Sequence, residues 1–371
     1  MCNRLQIRLR FSQPAGGRFA CAMTDPRPDL SGPSRPATLQ SVADAAGVHR
    51  STAARALDPA QSHRISADVV SRVREAAVLQ GYRRNTTAAS LRTGRSRLVG
   101  AVLPDLANPV FAPILSGVTT ALAKQGYSLL VADGGGSEND RIQIVEQLIA
   151  RGVEGLVLAT ARRVDNVVSL CLARGVPAVL VNRAEDSARV SSVASDDIGG
   201  MRLAVEHLAS LGHRNIGHLA GPDDLSTGVL RRRGFAEAMA AAGLDATRIV
   251  TASAYSRDAG KVAAAALLDR HPDITAIAAG NDLLALGSFL ALTARGLSCP
   301  ADVSIVGHND MPLMDMVDPP LTTVRIGPVA MGEEAATLLL TQIAGSDTAL
   351  VTKTTEAELV VRASTRRVGE G

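Results

Sequence analysis

From residue 98 onward, short apolar runs alternate with amphipathic stretches, and this alternation restricts the fold more than any other feature of the chain. The runs at 98–103, 127–132, 155–159, 177–181, 216–220, 274–279, 303–306 and 359–361 are rich in Val, Ile, Leu and Ala. Each reads as a strand covered on both faces. Between them, 114–124, 140–151, 201–211, 228–242 and 283–295 carry apolar residues at helical spacing. Strand and helix in turn predict parallel sheets with helices on both sides, and about 270 residues suffice for two such lobes.

The stretch ahead of this body is different in charge. Residues 35–97 carry a net charge of +7 and residues 98–371 a net charge of −7, although the 371-residue chain as a whole is only +3. A small basic segment on an acidic body points to a polyanion-binding head. With 2% aromatic residues and no Trp, a base-stacking platform for single strands is disfavoured. The longest charge-free stretch, 106–123, contains Asn108, Pro109, Pro113, Ser116 and Gly117, which is too polar for a spanning helix. Cys2, Cys21, Cys171 and Cys299 form no paired motif, so neither a disulfide framework nor a zinc site is expected, and a reducing cytoplasm fits best. Residues 1–36 are rich in Arg, Pro and Gly and lack an apolar signal core. They read as a disordered tail, or as residues preceding a start at Met23.

Within the basic segment, Thr38 can cap a first helix whose apolar positions Leu39, Val42, Ala43 and Ala46 form one stripe. Gly47 supplies the positive φ of a tight interhelical turn, with Val48 filling the corner. A second helix, 49–57, would turn Ala53, Ala56 and Leu57 inward and His49, Arg50, Ser51 and Arg55 outward. A third is expected from Ile65, Val69, Val73, Ala76, Ala77 and Leu79, capped by Ser66 and stopped by Gly81. This is an all-α helix-turn-helix headpiece over 37–84.

The run from Thr38 to Leu57, followed by Gly81-Tyr82 and by Ala88-Ala89-Ser90-Leu91-Arg92-Thr93-Gly94-Arg95-Ser96, resembles the amino-terminal region of the lac repressor (LacI/GalR) family. The resemblance continues through the body in Asn108-Pro109-Val110-Phe111-Ala112, Gly152-Val153-Glu154-Gly155, Arg231 with Gly234-Phe235, Asn281-Asp282, and the blocks at 300–307 and 320–324. It implies a periplasmic-binding-protein-like domain of two lobes, with hinge residues at 85–97 and the chain crossing between lobes near 195, 322 and 350. It also implies a homodimer on a double-stranded operator. The second helix would lie in the major groove, with Arg50 and Ser51 at base edges, His49 as an unusual cap, and Thr52 and Arg55 near phosphates or neighbouring bases. Arg84 and Asn85 would add backbone contacts, and Leu91 would wedge into the minor groove. His49 stands where Ser is usual, Arg84 where Pro is usual, and Ala89 where Arg is frequent.

For the body, the resemblance implies an effector held between the lobes by Phe111, Arg183, Thr227, Arg231 and Asp282. Leu225 stands where purine-binding members carry Arg, which favours a neutral sugar or polyol. No heptad tail follows Val361, so a coiled-coil tetramer is not expected. A solute receptor would need an export signal and no basic head. An enzyme would need a phosphate loop, a nucleophile elbow or a metal cluster, and none of these motifs is present; no cofactor is expected.

Overall fold

The computed structural model describes residues 37–58, 61–82, 94–345 and 349–369. The expected tail at 1–36, Arg84 at the end of the expected headpiece, and Asn85, Ala89 and Leu91 of the expected hinge lie outside the described residues. The chain divides into two compact units, 1–85 and 86–371.

In the first unit, helix α1 (Leu39–Ala45) begins with a reciprocal cap. Thr38 Oγ1 accepts from the Ser41 amide at 3.1 Å, and Ser41 Oγ accepts from the Thr38 amide at 3.1 Å. Gly47 turns the chain at φ +65° into α2 (Arg50–Ala56). Helix α3 (Ala67–Leu79) closes a core in which Val42, Ala43, Ala53, Ala56 and Val73 are fully buried. Two expectations for α3 need correction. Ser66 occupies the cap position without a side-chain capping bond, and Leu79 is 87% exposed. The inward stripe of α3 runs through Val73, Ala76 and Ala77, and Leu79 falls off it. Gln80 ties back to α1, donating from Nε2 to the Ser41 carbonyl at 3.1 Å and accepting from Ser41 Oγ at 2.7 Å.

The second unit holds two six-stranded sheets. The first is built from β1 (Leu98–Leu103), β2 (Ser128–Asp133), β3 (Gly155–Leu158), β4 (Ala178–Val181), β5 (Ser191–Ser195) and β11 (Thr352–Thr355), in the order β11-β5-β4-β3-β1-β2. The second contains β6 (Ile216–Ala220), β7 (Ile249–Thr251), β8 (Ala276–Ala279), β9 (Ser304–Asn309), β10 (Thr322–Arg325) and β12 (Glu358–Val360), in the order β12-β10-β9-β8-β6-β7. All neighbours are parallel except β10 and β12; β4 runs on to β5 and β9 to β10 through loops, and most of the other strands are separated in sequence by crossover helices. These are α4 (Phe111–Lys124), α5 (Glu138–Ala150) and α6 (Asn166–Arg174) on the first sheet, and α7 (Asp197–Ser210), α8 (Ser226–Ala241), α9 (Arg257–Arg270) and α10 (Asp282–Thr293) on the second. The last helix, α11 (Pro328–Ile343), returns to the first lobe and packs on α4.

That helix pair touches backbone to backbone. A Cβ on Gly117 would lie 2.1 Å from the Val329 carbonyl oxygen, and one on Gly332 would lie 2.0 Å from that of Ile114. Only glycine allows so close a crossing.

The chain crosses between lobes after Ser195, after Ile326 and after Thr355, and the three crossings are bonded together. The Asp196 amide donates to the Thr355 carbonyl at 3.0 Å, and Thr355 Oγ1 donates to the Ile326 carbonyl at 2.8 Å. The third crossing therefore falls beyond the expected 350, because 352–355 still pair with β5. That strand, Thr-Lys-Thr-Thr, is a polar edge and gives no apolar signal.

Candidate DNA-reading helix and interlobe cleft

On the first unit, α2 presents one polar face. His49, Arg50, Ser51 and Arg55 are exposed and Thr52 is half-buried, while Ala53 and Ala56 anchor the opposite face. His49 serves as the cap: its Nδ1 accepts from the Ser51 amide at 3.3 Å and lies 2.8 Å from Ser51 Oγ. An imidazole thus does the work usually given to a hydroxyl. Arg50 is the first residue of α2 and is exposed.

In the second unit, each sheet has one place where the chain reverses direction of growth: between β1 and β3 in the first, and between β6 and β8 in the second. Loops after adjacent strands part there, leaving a crevice at the carboxyl ends. The two crevices face each other across one cleft of about 430 Å³. Its first-lobe wall includes Asp105 and Asn108 after β1, Gly134–Gly136 after β2, Thr160 after β3 and Arg183 after β4. The second-lobe wall comes from Pro222, Asp224 and Leu225 after β6 and from Ser253–Ser256 after β7. Arg141 reaches the cleft from the first turns of α5.

Bonds between lobes hold the cleft's rim. Arg162 pairs with Asp224, and the Arg163 amide donates to the Asp224 carbonyl at 3.1 Å. Arg183 Nη1 donates to Thr227 Oγ1 at 2.6 Å, and the Ala184 amide donates to Ser226 Oγ at 3.0 Å. Tyr255 covers the floor, its ring 5.6 Å from the Arg183 guanidinium and 5.9 Å from that of Arg231.

Beneath Tyr255, Arg231 is 2% exposed and bonded in three directions. It donates to Asp197 Oδ1 at 2.7 Å, to the Gly280 carbonyl at 2.6 Å and to Asn309 Oδ1 at 3.2 Å. Asp197 also accepts from Ser195 Oγ at 3.0 Å, which joins this network to the first crossing. The pair with Asp197 offsets the cost of burying the Arg231 charge. Among the described residues Arg183 has no such partner, and burial lowers its pKa.

The expected effector residues therefore separate. Arg183 lines the cleft, with Thr227 and Arg231 immediately behind it. Phe111 and Asp282 are not on its wall. Phe111 is 2% exposed and packs into the first-lobe core, because it starts α4 on the stripe continued by Ile114 and Val118. Asp282 is fully buried behind its capping neighbour Asn281, accepting from the Met311 amide at 2.8 Å and from Thr323 Oγ1. Its carboxyl is raised to about 6 by burial, against the lowering effect of those two bonds. Sequence reasoning missed Arg141, Arg162 and Tyr255. Arg141 shares a stripe with Val145 and Leu148, a signal available in the sequence. Tyr255 follows the three-residue strand β7, which is too short to stand out.

Two buried histidines of the second lobe are bonded within it. His213 lies 2.9 Å from Thr275 Oγ1 and 3.1 Å from Ser304 Oγ. His218 stacks on Phe235 at 4.8 Å and donates from Nδ1 to the Ala278 carbonyl, with burial pushing its pKa down to about 4. Among the described residues, no cluster of His, Cys, Asp and Glu suited to a metal ion is found, and no helix is long and apolar enough to cross a membrane.

A three-helix head with an exposed basic helix, joined in one chain to a two-lobed α/β unit with a cleft at both switch points, defines a DNA-binding protein with a sensor-type body. The model of the periplasmic binding protein-like domain family matches residues 205–365. An uncharacterized HTH-type transcriptional regulator in the aml 5'region of Streptomyces limosus is 38% identical over 355 residues, covering 92% of this chain and 98% of that protein. A structure of the transcriptional regulator CelR in complex with cellobiose aligns with a TM-score of 0.69 at 34% identity, covering 88% of this chain and 99% of that one. The lac repressor dimer bound to operator and the anti-inducer ONPF aligns with a TM-score of 0.77 at 27% identity, covering 90% and 100%. This chain belongs to the lac repressor family of helix-turn-helix transcriptional regulators.

Proposed function

We propose that this regulator is a repressor, acting in the cytoplasm as a homodimer on a pseudo-palindromic operator, and that a sugar-like effector in the interlobe cleft sets its operator affinity. Two-fold symmetry matches two half-sites, and a head spanning 37–84 buries too little surface to act alone. The hinge, 85–97, carries Leu91 to the minor groove, with Arg84 and Asn85 on the flanking backbone. In the second lobe, Val262, Leu290, Leu313 and Met316 are exposed and offer apolar surface to a second copy. The body, 98–371, performs no chemistry on its ligand.

One observation carries the reading. Donors and acceptors from the strand ends of both lobes meet in one cleft, whose floor is bonded through Arg231 and Asp197 to the first interlobe crossing. A ligand that favours one lobe angle thereby biases the crossings, and it shifts operator affinity by its differential affinity for the two angles. Selection of bound duplexes from a random pool, followed by anisotropy titration with and without sugars, tests this. Absence of any sequence preference at physiological salt refutes the operator reading; indifference of a bound operator to every sugar refutes the switch.

A further inference from the structure

The cleft is richer in cationic donors than a neutral ligand requires. Arg141 is 5% exposed, has an unpartnered Nε, and makes only a 3.3 Å bond to the Gly136 carbonyl. Arg183 is 6% exposed and bonds to the Thr227 hydroxyl. Neither guanidinium has a carboxylate within 4.0 Å among the described residues, whereas Arg162 in the same cleft is paired with Asp224. Beside them the Thr160 hydroxyl, 6% exposed, has no partner among the described residues, and neither has the phenol of Tyr255. A buried charge without a partner is costly, and proteins retain one where a ligand completes it.

The charged side chains on the wall are Arg141, Arg162, Arg183, Asp105 and Asp224, which leaves one positive charge in excess. Behind the wall, Arg231 is neutralised by Asp197 and adds nothing to the excess. Neutral hydroxyls could accept hydrogen bonds from the guanidiniums but would leave that charge uncompensated. A carboxylate accepts charge-assisted bonds from an arginine fork and removes it.

We propose that the effector is an acidic sugar bearing a single carboxylate, with Arg141 and Arg183 holding the carboxylate and Thr160 and Tyr255 bonding its hydroxyls. This rests on the reading of the cleft as a sugar-effector site and revises the neutral ligand expected from Leu225. An arginine at that position is unnecessary when two others already face the cleft.

Matched pairs test it by calorimetry on the full chain: glucose against glucuronate, galactose against galacturonate, and cellobiose against cellobionate. At least one acid should bind about tenfold or more tightly than its neutral partner at low salt, with the advantage shrinking between 50 and 500 mM salt as expected of about one screened charge pair. In Arg183→Gln and, separately, Arg141→Gln, the preference for the acid should fall to within about threefold. A parent-like circular dichroism spectrum and melting curve identify variants that remain folded, and the salt series on the parent decides the matter if neither does. Equal or tighter binding of the neutral members overturns the acidic class while leaving the sugar-effector reading intact. Binding of none of the six overturns both.

Discussion

The Arg231–Asp197 pair allows the most quantitative test of how the second lobe is built. Both side chains are almost wholly buried, and the 2.7 Å bond between them is the only ion pair of either among the described residues. Asp197→Asn keeps the shape and removes the charge, leaving a guanidinium in the interior. Loss of one partner from a buried pair costs about 3–5 kcal/mol. Here the bonds from Arg231 to Gly280 and Asn309 survive, so the lower end, about 3 kcal/mol, is expected. With a urea slope of about 3 kcal/mol per molar for a unit of this size, the midpoint should fall by about 1 M. Arg231→Met should cost a similar amount by stranding the carboxylate, while Asp197→Asn combined with Arg231→Met should recover at least about 2 kcal/mol of the summed losses, since neither charge is then left buried without its partner. Urea melts followed by far-ultraviolet circular dichroism, run on all four proteins, measure the cycle. Single-variant losses below about 0.5 kcal/mol, or strict additivity in the double variant, would show that Arg231 is not structurally paired and that its buried position serves ligand contact alone.

Three further outcomes are expected. Arg50→Ala should weaken binding to a selected operator by about tenfold or more while leaving binding to random duplex nearly unchanged; equal loss on both in anisotropy titrations would make it a phosphate contact. Gly117→Ala should destabilise the first lobe by more than about 3 kcal/mol, because its methyl would meet the Val329 carbonyl oxygen at 2.1 Å; a melting temperature within 2 °C of the parent would refute the close crossing. Asp282, with a native pKa of about 6 against an ordinary 3.8, binds its proton more tightly when folded than when unfolded. Its contribution to stability is therefore greatest below pH 4 and falls by up to about 3 kcal/mol as pH rises through 6. Asp282→Asn should flatten that decline, and an unaltered pH profile of unfolding would exclude Asp282 as its source.

Much of this architecture was legible because burial on both faces leaves a continuous apolar run. β1, β3, β4, β6 and β8 are of that kind, and they form the sheet centres next to the cleft. Edge and crossing strands were not. β5, β7 and β11 are Ser- or Thr-containing segments that lie at or near sheet edges and signal weakly. At the cleft, polar residues following strands were found by the general rule for open sheets, which caught Asp105, Thr160 and Arg183. That rule cannot tell which polar group turns toward the crevice and which turns back into the lobe. Asp282 turns back because the Met311 amide and the Thr323 hydroxyl claim its oxygens. In the head, the corner of Ala43, Gly47 and Val48 gave the helix-turn-helix directly, since close helices require small residues at the crossing.

The partnership of α4 with α11 has a consequence for biogenesis. On a translating ribosome α11 emerges about 200 residues after α4, a delay of some 10–40 s at ordinary elongation rates. Throughout that interval the glycine-lined groove of α4 and the open edge of β5 lack their covers, so the first lobe must wait for nearly the whole polypeptide. Among the described residues, the core of the head is made entirely within 39–82. A nascent regulator thus exposes a finished reading surface long before it has an instrument to govern it, and chaperone capture of stalled chains should concentrate between the synthesis of α4 and that of α11.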